Sequence, residues 1–252
     1  MNIAFLLSTF PTLSETFILN QITGMIDRGH EVEIYAVKKA SSLKIHPEVR
    51  SYKLFEKVSF SSDLEIPRNK LIRIINSFGL LLKGFSKNPK AIIRSLDFFN
   101  YGKKAFSLEL LYEISPFLGK KQYDIIHCHF GPIGAKGALL RQIGVLEGKI
   151  ITTLHGSDMS FYIKKHGKGA YNFLFAKGDL FLPISERWKR KLMALGCDER
   201  KIVVHRMGID TDKFCFSPRV SNKKIKLLTV GRLVEKKGIK YGIQAVARVL
   251  KK

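Results

Sequence analysis

Short apolar runs alternate with helical patterns from the first residues of this chain. Residues 3–7 form an apolar run, residues 15–27 carry apolar side chains at helical spacing, and residues 32–37 form a second apolar run. A strand, a helix and a strand in this order favour a βαβ unit with parallel strands. The alternation continues and predicts an α/β fold around a parallel sheet, with later strands at 125–128, 149–154, 180–183 and 202–205 and helices at 134–143, 167–177 and 186–195.

The first helix has boundary signals at both ends. Ser14 is predicted to be its N-cap, because a serine oxygen can accept a hydrogen bond from a backbone N–H of the first turn. The Arg28-Gly29 pair is predicted to end it, because glycine readily takes the left-handed conformation of a C-terminal cap.

The segment 67–118 interrupts the alternation of strands and helices. It is predicted to hold two or three helices, with Asn88-Pro89 separating the first from the second. Two interpretations stay open: a basic amphipathic surface that rests on anionic lipid headgroups, or a solvated face with an apolar core side. Between residues 68 and 104 the segment has a single carboxylate, Asp97. The cations over the same residues are Arg68, Lys70, Arg73, Lys83, Lys87, Lys90, Arg94, Lys103 and Lys104.

The charge of the whole chain predicts an anionic partner. The net charge of +23 in 252 residues fits a phosphorylated ligand, an acidic membrane surface or nucleic acid. Three cysteines make neither an even disulfide set nor a CxxC pair, which favours a reducing compartment. The first residues lack the pattern of a signal peptide, so a cytoplasmic location is predicted.

The end of the chain predicts the start of a second domain. We expect a first domain over 1–210, a linker over 211–224 and the new domain over 225–252, opening with a strand at 225–230 and a helix from about residue 238. Gly231, Arg232 and Lys237 lie between them. Backbone N–H groups at a helix start, with arginine and lysine side chains, predict a diphosphate-binding turn. The apolar stripe of this helix runs to the last residues, so the second domain is expected to be cut rather than small.

Polar residues follow the predicted strands of the first domain, where open α/β sheets bind their ligands. His155 leaves a strand into a glycine turn, so it is predicted to donate to a sugar hydroxyl or phosphate oxygen; the alternative is a histidine that only bonds the turn. For Asp158 the alternative to a role in ligand binding is a structural one, as an N-cap or turn-former. The residues expected to line this edge are Ser14, Glu15 and Thr16, then His129 with Gly131, then His155, Gly156 and Asp158, and finally Ser185 and Arg206.

Several familiar sites are disfavoured by the spacing of their residues. His127 and His129 share a strand face, but no further ligand stands at a recognised metal spacing, so no metal site is predicted. Gly131, Gly134 and Gly137 have the spacing GxxGxxG instead of the GxGxxG that binds a dinucleotide. Neither a GxSxG elbow nor a GxxxxGK[ST] loop is present in the sequence.

Six motifs in order make the chain resemble a family 4 glycosyltransferase of the GT-B architecture, with two Rossmann-like domains facing each other across a cleft. It is most similar to the bacterial exopolysaccharide enzymes of the colanic-acid type. The motifs are Phe10-Pro11 with Ser14-Glu15-Thr16-Phe17, His129-Phe130-Gly131-Pro132, His155-Gly156-Ser157-Asp158, Leu182-Pro183-Ile184-Ser185, Arg206-Met207-Gly208-Ile209-Asp210, and the run from Gly231-Arg232 to Lys237-Gly238.

The resemblance implies a retaining transferase that moves a sugar from a UDP- or GDP-linked donor to a lipid-linked oligosaccharide at the inner face of the membrane. His155 would contact the donor sugar as the catalytic residue, while Arg232 and Lys237 would neutralise the departing diphosphate. These fixed cations can replace a divalent metal. The expectation is therefore a nucleotide-sugar substrate with no cofactor and no metal. Gly156, Asp158, Ser185 and Arg206 would line the donor side, and Ser14, Glu15, Thr16 and His129 the acceptor side.

One departure from the family pattern leaves an alternative function open. The pair of glutamates that holds the donor in the family falls beyond residue 252, so the chain is expected to be a fragment of the enzyme. The alternative is a noncatalytic half of a split transferase that binds membrane or glycan. Nucleic-acid binding is disfavoured, because no recognised binding motif accompanies the positive charge.

Overall fold

The computed structural model describes residues 1–42, 44–61, 66–119, 122–218 and 225–251. The chain divides into two compact units, Met1–Ile209 and Asp210–Lys252.

The first unit is built on a parallel sheet of six strands. Its strand order is β3-β2-β1-β4-β5-β6, so β1 and β4 lie at the centre and the chain crosses from one half of the sheet to the other after β3. This confirms the predicted α/β fold class. The strands are β1 Asn2–Phe10, β2 Glu31–Lys39, β3 Val58–Phe60, β4 Ile125–His129, β5 Lys149–Leu154 and β6 Leu180–Pro183.

Helices connect the strands of the first unit, and one helix lies in the second unit. The helices are α1 Thr16–Asp27, α2 Pro47–Ser51, α3 Lys70–Phe85, α4 Pro89–Ser95, α5 Phe98–Tyr101, α6 Lys103–Phe106, α7 Glu109–Ile114, α8 Gly131–Ile143, α9 Ile163–His166, α10 Asn172–Lys177, α11 Glu186–Ala194 and α12 Ile239–Val249. No helix among the residues that the structure describes is long and apolar enough to cross a membrane.

The two faces of the sheet bury separate apolar clusters. Successive side chains of a strand point to opposite faces. Phe5 and Leu7 accordingly belong to the cluster that includes Ile18 and Ile22 of α1, while Ala4 and Leu6 belong to the larger cluster that includes α8. Near-continuous apolar strands are typical of a parallel sheet covered on both faces, as β1 is here.

The glycines of α8 let that helix lie directly on the sheet. A Cβ at Gly134 would stand 2.5 Å from Thr152 Oγ1, and one at Gly137 would stand 2.7 Å from Cys128 Sγ. The GxxGxxG spacing, which does not fit a dinucleotide site, therefore has a packing explanation. Helix α8 begins at Gly131, earlier than the predicted start at Gly134.

The boundary predictions for the first helix have mixed outcomes. Gly29 has φ +78°, and its N–H bonds Ile26 O at 2.9 Å, which confirms the left-handed residue just past the helix end. The predicted N-cap was wrong: the residue before the first turn is Glu15, and no side chain bonds the turn. A turn closed by Glu15 N donating to Thr12 O at 3.2 Å precedes the helix, which begins at Thr16, two residues past the serine.

The last two predicted strands have different outcomes. Residues 202–205 are not a regular strand but run beside β6: Ile202 bridges Phe181, Val203 N donates to Phe181 O at 3.0 Å, and His205 N donates to Pro183 O at 3.0 Å. Residues 225–230 pair with no other strand among the described residues, and their side chains are exposed. The second unit therefore presents its helix α12 without the strand predicted before it. The sequence also missed the three-residue strand β3.

The segment 67–118 is more broken than predicted. It holds five α-helices, α3 to α7, instead of two or three. The division at Asn88-Pro89 is confirmed, since the Asn88 side chain accepts from Ala91 N at 3.0 Å at the start of α4. The predicted helix 167–177 likewise consists of a 3₁₀ turn, Lys168–Tyr171, followed by α10.

Candidate functional site

Three histidines line up at the carboxyl end of the central strands. In the β4–β5 ladder His127 pairs with Ile151 and His129 pairs with Thr153. Residues two apart on a strand share a face, and His155 follows Thr153 by two positions. The register therefore brings the three imidazoles to one face of the sheet, the face that carries Phe5 and α1.

The three rings form a stack. The His127 and His129 centroids are 4.7 Å apart with an interplanar angle of 19°, and those of His129 and His155 are 5.4 Å apart at 16°. Nε2 of His127 shares a hydrogen bond of 2.8 Å with Thr153 Oγ1. Nδ1 of His129 shares one of 3.1 Å with Nε2 of His155. The stack thus ends on His155, the half-buried member.

Burial keeps these imidazoles neutral. It lowers the pKa of His127 to about 4, with the charges of His205 and His155 adding to the effect. It lowers the pKa of His129 well below the usual value for the same main reason. Burial also lowers the pKa of His155 to about 4, although the Asp158 carboxylate acts in the opposite direction. Near pH 7 each ring therefore carries one proton.

The pattern of hydrogen bonds assigns the tautomer of the His129–His155 pair. Nε2 of His129 is buried and has no partner among the described residues. A buried N–H without a partner is rarer than a buried acceptor without one. We therefore place the His129 proton on Nδ1, from which it is donated to His155 Nε2. The proton of His155 then lies on Nδ1, which makes no hydrogen bond within the described residues and is not among their buried partnerless atoms.

Asp158 fixes the turn that carries His155. It is 3% exposed, and its Oδ1 accepts from Gly156 N at 2.7 Å, Met159 N at 3.1 Å and His155 N at 3.2 Å. Its Oδ2 accepts from Gly131 N at 3.2 Å, which ties this turn to the one that follows β4. The carboxylate is thus a turn-former, the alternative that the sequence left open, and it holds the two ligand-edge turns together.

The turn after β4 is unusually tight. Phe130 has φ +72°, in the left-handed region that is uncommon for residues other than glycine. Gly131 follows, and a Cβ there would clash with the Tyr171 ring, whose hydroxyl donates to Asp158 O at 3.0 Å. This conformation brings Phe130 to 4.5 Å from His155, measured between ring centroids.

The predicted acceptor side reaches His155 through an aromatic residue. Phe17 of α1 lies 4.6 Å from His155 between ring centroids. Ser14 and Thr16 precede Phe17 in the sequence and are exposed. Glu15 between them is half-buried, and burial raises the pKa of its carboxyl group. The structure thus brings the 14–17 turn to the histidine stack.

The remaining predicted residues of the first unit are less central. Ser185 caps α11 by accepting from Trp188 N at 3.4 Å, and Trp188 reaches the turn at Gly156. Arg206 is exposed, next to His205, whose ring is 3.3 Å from Gln21 Nε2. Neither the role of Ser185 nor that of Arg206 in ligand binding is tested by these contacts, and both stay predictions.

The predicted diphosphate residues lie in the second unit. Gly231, Arg232 and Lys237 are exposed, and a short 3₁₀ turn, Glu235–Lys237, leads through the left-handed Gly238 into α12. Arg232 O accepts from Val234 N at 2.8 Å. Arg232 and Lys237 are thus exposed in the turn before α12, the strand predicted before them is not formed, and their diphosphate-binding role stays a prediction.

Sequence reasoning missed the aromatic residues around His155. Phe17, Phe130 and Tyr171 hold the ring and its turn, and their contacts depend on three-dimensional packing. Phe17 and Phe130 do stand inside the quoted motifs, directly beside predicted site residues, and that adjacency is the signal that could have found them. No cluster of three or more His, Cys, Asp or Glu side chains in the described part of the chain could hold a metal ion.

The chain thus falls in the class of α/β proteins that bind ligands at the carboxyl ends of parallel strands, where its histidines and glycine turns lie. Comparison with known families identifies the particular one. The family described as Glycosyltransferase Family 4 matches residues 14–213, and the chain belongs to this family.

Curated relatives agree with this assignment. The chain is 38% identical over 251 residues to the colanic acid biosynthesis glycosyltransferase WcaL of Salmonella typhimurium, covering 97% of this chain and 60% of the relative. It is 37% identical over 255 residues to the amylovoran biosynthesis glycosyltransferase AmsK of Erwinia amylovora, covering 100% of this chain and 61% of the relative. The chain thus spans about 60% of the length of the curated relatives it matches.

Among solved structures, the chain is similar to Anabaena HepE in complex with UDP-glucose, at 13% identity and a TM-score of 0.49. The match covers 86% of this chain and 47% of that one.

Proposed function

We propose that this chain carries the acceptor side and the diphosphate-binding turn of a retaining glycosyltransferase in exopolysaccharide synthesis. The donor is a UDP- or GDP-linked sugar, and the acceptor is a lipid-linked oligosaccharide. The observation that carries the proposal is His155: its Nε2 is held by His129, while Nδ1–H is left for a ligand. A neutral imidazole with one oriented donor suits a sugar hydroxyl.

The transfer needs one bond made and one broken at the anomeric carbon. An acceptor hydroxyl oxygen bonds to that carbon, the carbon–oxygen bond to the diphosphate breaks, and the hydroxyl proton passes to the departing diphosphate on the same face. Negative charge grows on the leaving group, and Arg232 and Lys237 neutralise it. Fixed cations aimed at developing charge are a large source of catalysis. The proposal includes no metal and no cofactor.

The proposed acceptor residues are Ser14, Glu15 and Thr16. They directly precede Phe17, whose ring contacts that of His155. Ser14 and Thr16 offer exposed hydroxyl groups that can bond an oligosaccharide. The relatives are named for the synthesis of colanic acid and amylovoran, which supports an exopolysaccharide acceptor. A cytoplasmic protein held at the inner membrane surface would meet such a lipid-linked substrate.

Ligand-induced thermal shift tests the proposal on this chain. UDP, GDP and a panel of UDP- and GDP-hexoses are added at millimolar concentration, and the unfolding midpoint is measured. A ligand present at ten times its Kd stabilises a protein by about 1.4 kcal/mol, which raises the midpoint by a few degrees. We expect a shift with one nucleotide class and its loss in Arg232→Ala.

The matched control is Arg248→Ala, which removes another arginine of the second unit, from the last turn of α12. It should leave the shift intact. Equal loss in both variants would point to general electrostatics and contradict a specific diphosphate turn. A response to oligonucleotides with none to nucleotide sugars would overturn the proposed function.

A further inference from the structure

Helix α3 packs on the protein through a mixed face of small, polar and leucine side chains. Ser77 and Gly84 are buried on that side, and Arg73 lies with them, donating to Pro67 O at 2.9 Å and to Ser107 O at 3.1 Å. Ser77 Oγ donates to Arg73 O at 2.7 Å. Leu80 and Leu81 are half-buried against the larger apolar cluster, so the packed face of α3 takes up only part of its apolar side chains.

The apolar face of α3 points to solvent. Its side chains recur at intervals of three and four residues, so they form one stripe along the helix. Each is between 47% and 76% exposed, whereas a helix of a soluble domain normally buries such a stripe. We define the α3 stripe as Leu71, Ile74, Ile75, Phe78, Leu82 and Phe85.

Positive charge surrounds the α3 stripe. Lys70 opens the helix, Lys83 lies in its last turn and Lys87 follows it, all three exposed. Asp97 is the one carboxylate between residues 68 and 104 of the sequence. Helices α5 and α6, which follow α4, add the exposed aromatic residues Phe98, Phe99 and Phe106. The link from Arg73 to Ser107 holds the end of α6 beside the first half of α3.

We propose that the α3 stripe is a membrane-docking surface that inserts into the headgroup region of an anionic bilayer. A helix with one strongly apolar face and flanking lysines lies in the plane of such an interface. Its 16 residues give a length of about 24 Å, which suits lying along the surface. This deepens the proposed function, since it names the part of the chain that would hold the enzyme at its lipid-linked acceptor.

Charge complementarity favours a bilayer over a second copy of this chain. Two copies meeting through the α3 stripe would bring their lysines together, and like charges at close range oppose association. Anionic lipid headgroups would instead neutralise those lysines, with each basic residue near the surface adding to the binding. Self-association is therefore an alternative outcome of the test.

The test is sedimentation of the 252-residue chain with vesicles. Vesicles of phosphatidylglycerol and phosphatidylethanolamine are compared with neutral vesicles of phosphatidylcholine. We expect binding to the anionic vesicles, weakened in about 0.5 M salt because exposed charges are then screened. The double variant Phe78→Ser with Leu82→Ser should lower the partition coefficient at least about tenfold, since it removes the centre of the stripe.

The matched control replaces two exposed apolar residues elsewhere in the first unit, Phe161→Ser with Val203→Ser. It should bind as the unsubstituted chain does. A separate variant, Phe78→Trp, should show a blue-shifted emission that appears only with anionic vesicles. All of the replaced side chains are exposed, so each variant is expected to fold, and circular dichroism checks this.

Three results would overturn the proposal. They are no binding to anionic vesicles at low salt, equal loss of binding in the stripe and control variants, or a stripe variant that abolishes self-association in sedimentation velocity while vesicle binding is unchanged. Nucleotide sugars and acceptor are absent from this assay. Failure of membrane docking is thus separable from failure of the proposed transferase, which the thermal shift reports.

Discussion

Nδ1 of His129 lies 3.1 Å from Nε2 of His155, and the two rings stack at 16°. His129 is fully buried and bonds no other group through its side chain in the described residues, so its contribution is to hold the ring and tautomer of His155. His129 was predicted on the acceptor side. That role stays a prediction, and because the ring is buried behind His155 we propose that His129 also positions the proposed catalytic residue.

Replacing His129 tests that positioning role. His129→Phe keeps a stacked ring and removes the Nδ1 donor, so His155 is expected to populate both neutral tautomers. Nitrogen-15 NMR of the His155 side chain measures the change directly. Sugar transfer should fall roughly tenfold, the size of one oriented hydrogen bond. An unchanged tautomer in the variant would contradict the assignment.

Asp158 is expected to be the most sensitive polar position of the edge. Asp158→Asn replaces one accepting oxygen by an NH₂ group that faces backbone N–H donors, which leaves buried donors without partners. The free energy of unfolding should fall by about 2–4 kcal/mol, the cost of one or two unsatisfied buried groups. Urea denaturation measures it. Asp198→Asn, at the half-buried cap of a 3₁₀ turn, is the control and should cost less than about 1 kcal/mol.

The glycines of α8 predict a contrast in stability. Gly134→Ala places a methyl group against Thr152, a contact that neither helix nor strand can relieve cheaply, so it should destabilise by about 1–3 kcal/mol. Gly79→Ala, on exposed α3 with nothing within 4 Å of the new methyl group, should stabilise by up to about 1 kcal/mol. Equal effects of the two changes would contradict the packing explanation of the GxxGxxG spacing.

The buried histidines predict a loss of stability in mild acid. The pKa of His127 is about 4 in the folded chain against 6.5 when unperturbed, so the unfolded chain binds the proton first as the pH falls. Stability is therefore fully present above pH 6.5 and declines toward pH 4. The loss attributable to His127 is at most about 3 kcal/mol. Urea denaturation across this range should show a shallower pH dependence for His127→Gln than for the unsubstituted chain. The opposite slope would contradict a neutral buried stack.

The central strands could be predicted because each is an apolar run that needs no special partner. The second unit could not. Residues 202–205 do bond β6 through Val203 and His205, but residues 225–230 have no paired neighbour among the described residues, so the strand-like pattern there did not yield a strand. A backbone ladder requires a second strand, and a local pattern does not supply it.

The candidate site likewise contains residues that the sequence could predict and contacts that it could not. His155 and Asp158 were identifiable from their place after a predicted strand. The stacking of His129 on His155 depends on the β4–β5 register, and the approach of Phe17 depends on how α1 packs on the sheet, neither of which is encoded locally. The apolar face of α3 shows the same limit, because periodicity predicted a helix but not which face would meet the protein.

The most direct test of the account is transfer of a labelled sugar to an extract of lipid-linked oligosaccharides, with the anomeric configuration of the new bond read by NMR. We predict transfer from one UDP- or GDP-linked sugar with the donor configuration retained. Activity should fall at least about a hundredfold in His155→Ala, the scale of a lost group at the reaction centre. His30→Ala, at the opposite edge of the sheet, should stay active. Inversion of configuration, or full activity in His155→Ala, would contradict the account.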